Sequence, residues 1–302
     1  KGEADPVLAC PVEKTPLCSE ATVLGMETRR ALVSELGVRY PVTSLYNDIL
    51  PSSSVSKPLT VDALGRELAD SWSSRVQTGT FRSPLTAFLY ERGWRQGFAR
   101  AGFPGIEKEF EEASDFFASA AGGVVVDMSC GSGLMTRRLL RSGAYSRLLA
   151  LDYSEAMLRE TCRRISAEGL STDTLTVCRA DVAALPLRDG SIDAMHAGAA
   201  LHCWPQLESG LAEIARVLKP GGRFFGTTFL KGAYGLPRTA PGQQGGANGF
   251  RFFDGTAELV ELFVAAGFPA EGVVVRKEGQ GCAVVRAEML APSEVVGEAV
   301  EV

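Results

Sequence analysis

Beyond Gly123 the chain alternates short apolar runs with stretches of helical period. Val124-Val125-Val126 predicts a strand, and a Gly-rich turn leads from it into a helix over Leu134 to Leu140. Leu148-Leu149-Ala150-Leu151 predicts a second strand, followed by a helix from Ser154 to Glu168. Leu175 to Arg179, Ile192 to His196 and Arg223 to Thr228 predict three more strands, with an amphipathic helix over Leu211 to Leu218 before the last. A helix over Leu259 to Ala266 follows. Val273-Val274-Val275 and Ala283-Val284-Val285 then flank Glu278 to Gly281, which predicts a terminal hairpin. Strands that alternate with helices imply βαβ units. The expected fold class is α/β, a doubly wound, mostly parallel sheet closed by an antiparallel C-terminal hairpin.

The pattern differs elsewhere. Residues 5–60 hold short apolar runs broken by Pro and Ser, ending in the polar stretch Pro51 to Ser56. They predict a small, loop-rich element and a linker. Residues 84–121 read as mostly helical, from the spacing of Phe88, Leu89, Phe98, Phe110, Phe116 and Phe117, with a break at Gly102-Phe103-Pro104-Gly105. The division is then 1–60 (N-terminal element and linker), 61–121 (helical cap), 122–290 (the α/β domain) and 291–302 (a tail). Residues 231–250 are rich in Gly and Pro and predict a loop at the rim of a site.

Composition narrows the function classes. A net charge of −5 over 302 residues does not announce a nucleic-acid binder. The cluster Arg137, Arg138 and Arg141 falls on a predicted helix and reads as a solvated face. No apolar run approaches the ~20 residues needed to span a bilayer. Seven cysteines, most of them in predicted strands and helices, suit buried thiols in a reducing compartment better than a disulfide framework. Residue 1 is Lys, so the chain is expected to have been processed or trimmed.

Candidate chemistry gathers at the strand ends, where open α/β sheets bind ligands. In Asp127-Met128-Ser129-Cys130-Gly131-Ser132-Gly133, the two glycines let backbone approach a ligand closely. The following helix offers free N–H groups to an anion. A dinucleotide fingerprint would want a third glycine where Thr136 stands, so the loop does not look built for pyrophosphate. Asp152 ends the second strand about 20 residues further on, the separation expected for an acid that accepts ribose hydroxyls. Asp181 and the backbone of Val182, after the third strand, are placed to take an adenine edge, although Asp181 equally suits a turn. Cys130 has no basic partner in sequence and reads as a packing residue.

These residues carry a resemblance. The segments Val124–Gly133, Leu149–Leu158, Arg179–Pro186, Asp193–Pro205 and Glu213–Gly222 resemble ubiquinone/menaquinone-biosynthesis methyltransferases. Ser83-Pro84-Leu85 through Tyr90 to Gln96, Gly102–Gly105 and His196 through Pro205 resemble the plant and algal plastid members of that kind. The resemblance covers residues 81–230 closely and 250–290 loosely. It implies a class I, Rossmann-like methyltransferase fold and S-adenosylmethionine (SAM) as cofactor. It also implies a plastid setting, with plastoglobule or peripheral membrane association, and a small prenyl-quinone or lipid-like acceptor. The family's N-terminal zinc ribbon is degenerate here. Cys10-Pro11-Val12-Glu13 puts Glu13 where a second cysteine would stand, Cys18 is isolated, and only Gly37 to Pro41 keeps a ribbon-like ending. A closed zinc site needs four ligands, so no metal is expected. The segment after the fifth strand is Gly/Pro-rich where the family's is helical.

Within that frame, Asp127, Ser129, Gly131, Gly133, Asp152, Tyr153, Asp181, Val182, Ala197 and Gly198 are the expected cofactor residues, with Tyr153 against the adenine. Ala197 and Gly198 are small enough to bring carbonyls near an ammonium group, or merely to pack. His202 is the expected acceptor-side base or orienter, and His196 a second catalytic candidate that also suits a hydrogen-bonded strand position. Tyr90, Trp94, Arg95 and Trp204 are expected on the substrate side. Ser129 stands where related loops often carry glycine. That substitution, the eroded ribbon and the altered lid leave a second class open, a methyltransferase-like structural or binding subunit of a larger plastid complex. A nucleic-acid acceptor is disfavoured by the acidic balance, while a protein acceptor stays open.

Overall fold

The computed structural model describes residues 2–24, 27–53, 98, 102–231 and 251–291. They build one twelve-stranded sheet of order β1-β2-β3-β4-β5-β8-β7-β6-β9-β10-β12-β11. Its centre is parallel: β6 (Val124–Met128), β7 (Arg147–Asp152), β8 (Leu175–Arg179), β9 (Ile192–Ala197) and β10 (Leu218–Phe229). β12 (Cys282–Glu288) runs antiparallel between β10 and β11 (Val273–Glu278), the hairpin that the valine runs predict. The strands at the centre read as continuous apolar runs because both faces are covered, as in β7, where Leu148 to Leu151 are all buried.

The helices follow from their caps. α1 (Ile106–Phe116) precedes the sheet. α2 (Leu134–Ser142) starts after Gly133 and stops at Gly143, both in the left-handed region at φ 77° and 61°, where glycine carries no Cβ penalty. α3 (Glu155–Ala167) is capped by Ser154, whose hydroxyl accepts from Met157 N–H. α4 (Leu207–Val217) and α5 (Thr256–Ala265) complete the described set. One buried cluster joins Ala113 and Phe117 to Met135, Leu139, Phe225 and Val284. The larger cluster joins Met128, Leu149, Met195, Phe224 and Phe263.

Two expectations change. Residues 4–50 are strands rather than loops: β1 (Ala4–Ala9), β2 (Pro16–Leu24), β3 (Glu27–Val33), β4 (Arg39–Val42) and β5 (Asn47–Asp48) form an antiparallel meander. Its short apolar runs are one-faced strands: Leu8, Leu17, Tyr40 and Ile49 point into the same core as Leu149 and Leu151. β5 then adds itself in parallel to β8, so the meander extends the central sheet. Arg137 is not a solvated residue either. It is buried, and its guanidinium donates to Ser132 O (2.8 Å), while Arg141 stays exposed. The helical reading of residues 84–121 holds for α1, and the predicted rim loop over 231–250 lies almost wholly outside the described residues. Among the described residues, no helix is long and apolar enough to cross a membrane.

Candidate functional site

The order of the sheet reverses at β6, which pairs with β7 on one side and β9 on the other. A crevice therefore opens at the carboxyl ends of β6 and β9. The loop of residues 129–133 lies over it and is held from three sides. Cys130 N–H donates to Leu151 O (3.0 Å), Thr161 Oγ1 donates to Gly131 O (2.7 Å), and Gly131 N–H donates to Asp152 Oδ2 (2.9 Å). The two glycines serve different needs. A Cβ on Gly133 would meet Thr161 Cγ2 at 2.7 Å, so Gly133 lets the loop close onto α3. Gly131 has φ 56°, and a Cβ there would meet nothing nearer than Ser129 O at 4.0 Å, which leaves an open side over the loop.

Asp152 faces this loop from the end of β7. Burial pushes its carboxyl up, and N–H groups of Ser154 (2.8 Å to Oδ1) and Gly131 pull it back, leaving a pKa of about 6. Each oxygen keeps a lone pair beyond these bonds, so ligand hydroxyls can still donate to it. Tyr153 follows, with the Arg179 guanidinium 5.8 Å from its ring centroid. Asp181 takes the turn role that its sequence also allowed: Oδ1 accepts from Ala183 N–H (2.9 Å). Val182 is buried, facing Gly210 of α4.

Asp127 belongs to β6 rather than to the loop, and it works from beneath. Oδ2 accepts from Thr136 Oγ1 (2.5 Å) and Oδ1 faces His196 Nδ1 (2.9 Å). The Nε2 of His196 faces Glu109 Oε1 (3.2 Å) on α1, and Thr227 Oγ1 donates to the same oxygen (3.0 Å). Asp127, His196 and Glu109 are 2%, 3% and 6% exposed. Burial alone would pull His196 down. The hydrogen bonds and charges of Asp127 and Glu109 outweigh it and lift the pKa to about 9. His196 is thus an imidazolium between two carboxylates, with both ring nitrogens engaged. The network runs on to Ala199 N–H, which donates to Thr227 Oγ1 (2.7 Å). It also explains Gly198, where a Cβ would meet Glu109 Oε1 at 2.7 Å and His196 Cε1 at 2.9 Å. Ala197 is buried at the end of β9.

His202 meets the opposite surroundings. It sits in a 310 turn, Leu201–Cys203, edge-on to Phe229 (4.8 Å between centroids) and stacked with Phe252 (6.3 Å). Phe98 and Phe103 pack on Phe229 in turn. Desolvation lowers its pKa to about 3, so the imidazole is neutral, with Thr228 Oγ1 3.4 Å from Nδ1. Trp204, next on the turn, reaches back to the loop: its indole N–H donates to Ser129 Oγ (3.0 Å). Ser129 has φ 56°, so this bond anchors a residue in a conformation that would favour glycine. Cys130 is buried, and desolvation with Asp152 and Asp127 raises its thiol well above the usual range, as a packing residue requires. Tyr90, Trp94 and Arg95 lie outside the described residues.

Sequence reasoning missed Glu109, Thr136 as a partner of Asp127, and Thr227. Glu109 did carry a signal. Ile106, Phe110, Ala113 and Phe117 mark the apolar face of α1, and Glu109 is an acid on that face.

Residues 126–226 match the methyltransferase domain family. The chain is 55% and 52% identical to two chloroplastic methyltransferases of Arabidopsis thaliana, over 52% and 51% of its length. The chain spans less than half the length of these relatives, 45% and 44%. A demethylmenaquinone methyltransferase of Clavibacter sepedonicus is 37% identical over 35% of this chain and 41% of its own. Among solved structures, a phosphoethanolamine N-methyltransferase of Haemonchus contortus, in complex with S-adenosylhomocysteine, aligns with a TM-score of 0.54. It is 13% identical, and the alignment covers 90% of this chain and 71% of that one. The [4+2]-cyclase SpnF aligns at 0.51 with 20% identity, over 61% of this chain and 80% of that one. At such identity these likenesses give the fold alone, that of the class I SAM-dependent methyltransferases.

Proposed function

We propose that the chain transfers a methyl group from SAM to a small, lipid-like or quinone acceptor in the plastid. The observation that carries this reading is the loop over the β6–β9 crevice, open above Gly131 and bonded to the buried carboxylate of Asp152. When bound, SAM supplies a methyl activated on a sulfonium. Gly131, Gly133 and the free N–H groups at the start of α2 would hold its methionine end, with Ser129 and Asp127 shaping the loop. Asp152 would accept the ribose hydroxyls, and Tyr153, Asp181 and the Val182 backbone would flank the adenine. The carbonyls of Ala197 and Gly198 would face the ammonium group.

On the acceptor side, a neutral His202 with a low pKa is better suited to orient a hydroxyl or ring by hydrogen bonding than to store a proton. The aromatic rings around His202 would help to align the acceptor with the methyl group, the source of most of the rate in such a transfer. Trp204, Tyr90, Trp94 and Arg95 remain proposed substrate-side residues. Plastid location is supported by the chloroplastic relatives, and the quinone by the demethylmenaquinone methyltransferase. Association with plastoglobules or a membrane surface, and with protein partners, belongs to the same proposal. So does the view of residues 1–60 as a ribbon-like element without metal, in which Cys10 Sγ pairs with Tyr40 Oη (3.1 Å).

Two measurements test it. Calorimetric titration with S-adenosylhomocysteine should give binding that Asp152→Ala abolishes. Labelled SAM with a plastid lipid and quinone extract should yield a labelled small molecule. Binding without any labelled product would favour a non-catalytic subunit, and no binding would end the cofactor reading.

A further inference from the structure

We propose that the N-terminal meander positions the adenosine side of the cofactor site, acting through Asp48 and Tyr46. The inference rests on the cofactor reading above. β5 runs beside β8 with Asp48 opposite Arg179, and Ile49 N–H donates to Arg179 O (3.0 Å). Asp48 Oδ2 accepts from Arg179 Nη1 (3.2 Å), while Asp48 Oδ1 is buried without a hydrogen-bond partner. The carboxylate is thus committed to one guanidinium. That guanidinium donates from Nε to Tyr153 O (3.1 Å) and lies over the Tyr153 ring. A meander carboxylate therefore fixes the cation that fixes both the backbone and the ring of the residue after Asp152.

Tyr46 grips the same loop further on. Its hydroxyl hydrogen-bonds Glu155, the first residue of α3. Its ring is buried in the cluster that holds Cys130, Leu158 and Val177, so it touches the support of the glycine loop as well. Thr43 locks its backbone, accepting from Tyr46 N–H (2.9 Å) and donating to Tyr46 O (2.7 Å) through one hydroxyl. Tyr153 and Glu155 are thus held from a separate part of the chain. A loop fixed before binding spares the ligand the cost of ordering it. Asp48 and Tyr46 are positioning residues in this scheme, since neither needs to touch the ligand.

The meander has a second attachment that supplies the control. Asp5 accepts both guanidinium nitrogens of Arg147 (2.9 Å each) at the start of β7, the end of the strand away from Asp152. Calorimetric titration of the full chain with S-adenosylhomocysteine separates the roles. Asp48→Asn and Tyr46→Phe should each raise Kd roughly 5- to 10-fold, with the melting point of the free protein close to wild type. Asp48→Glu should restore most of the affinity, and Asp5→Asn should leave Kd unchanged. Wild-type affinity in Asp48→Asn overturns the inference alone, as do equal losses in Asp48→Asn and Asp5→Asn. A wild-type chain that binds no S-adenosylhomocysteine overturns the cofactor reading and this inference with it.

Discussion

His196 and His202 are both buried, six positions apart, and carry opposite charge states. His196 lies between Asp127 and Glu109 and is cationic. His202 lies among Phe229 and Phe252 and is neutral. Burial pulls both pKa values down, so burial alone does not separate them. What separates them is whether an anion faces the ring. The pair shows that a buried histidine can be held between carboxylates or seated among aromatic rings, and that its neighbours decide which charge it carries.

The comparison breaks most visibly at His196. His196→Ala leaves two carboxylates buried with no cation between them, and equilibrium denaturation should show a loss of about 3–5 kcal/mol. A loss under about 1 kcal/mol would mean that the cage does not hold the fold. His202→Phe keeps an aromatic side chain in the aromatic pocket and removes the polar nitrogens. Label transfer from SAM should fall roughly 10²-fold, with S-adenosylhomocysteine affinity near wild type. Unchanged transfer would remove His202 from the acceptor side.

The pH dependence should carry opposite signs. His196 titrates near 9 in the folded chain against 6.5 unfolded, so its contribution is complete below about 6.5 and fades as pH rises through 9. His202 titrates near 3 folded, so its contribution is complete above about 6.5 and fades as pH falls from there towards 3. Denaturation across pH should therefore lose its alkaline slope in His196→Gln and its acid slope in His202→Gln. The smallest test uses adjacent residues of β10. Thr227 serves the Glu109 cage and Thr228 faces His202. Thr227→Val should cost about 1–3 kcal/mol, because Glu109 and Ala199 N–H each lose a partner, and Thr228→Val about 1 kcal/mol or less.

How much of this was legible depends on the range of the interaction that shapes each part. β8 coincides with its predicted span, and α3 sits between the cap residues that Ser154 and Glu168 supply, because strand runs and helix caps are local. The spacing rule singles out Asp152 as an acid for ribose hydroxyls, and the fold brings it to the glycine loop, where its Oδ2 accepts from Gly131 N–H. The meander was not legible. Its strands are one-faced and short, and the partner that completes β5 is β8. The split between the histidines was hidden for the same reason: Glu109 lies 87 positions from His196. Only its place on the apolar face of α1 hinted at a buried partner.

The meander also sets an order of assembly. Its own hairpins are local and can form early. Its anchors join residues 131, 142 and 199 positions apart, at Asn47–Cys178, Asp5–Arg147 and Lys14–Glu213. During synthesis the meander is thus made before the strands and helices that seat it. Such distant closures are slow. Until they happen, β5 and β8 both present unpaired backbone to any neighbouring chain. The contact that braces the finished site is therefore the one that leaves a half-made chain most open to wrong partners.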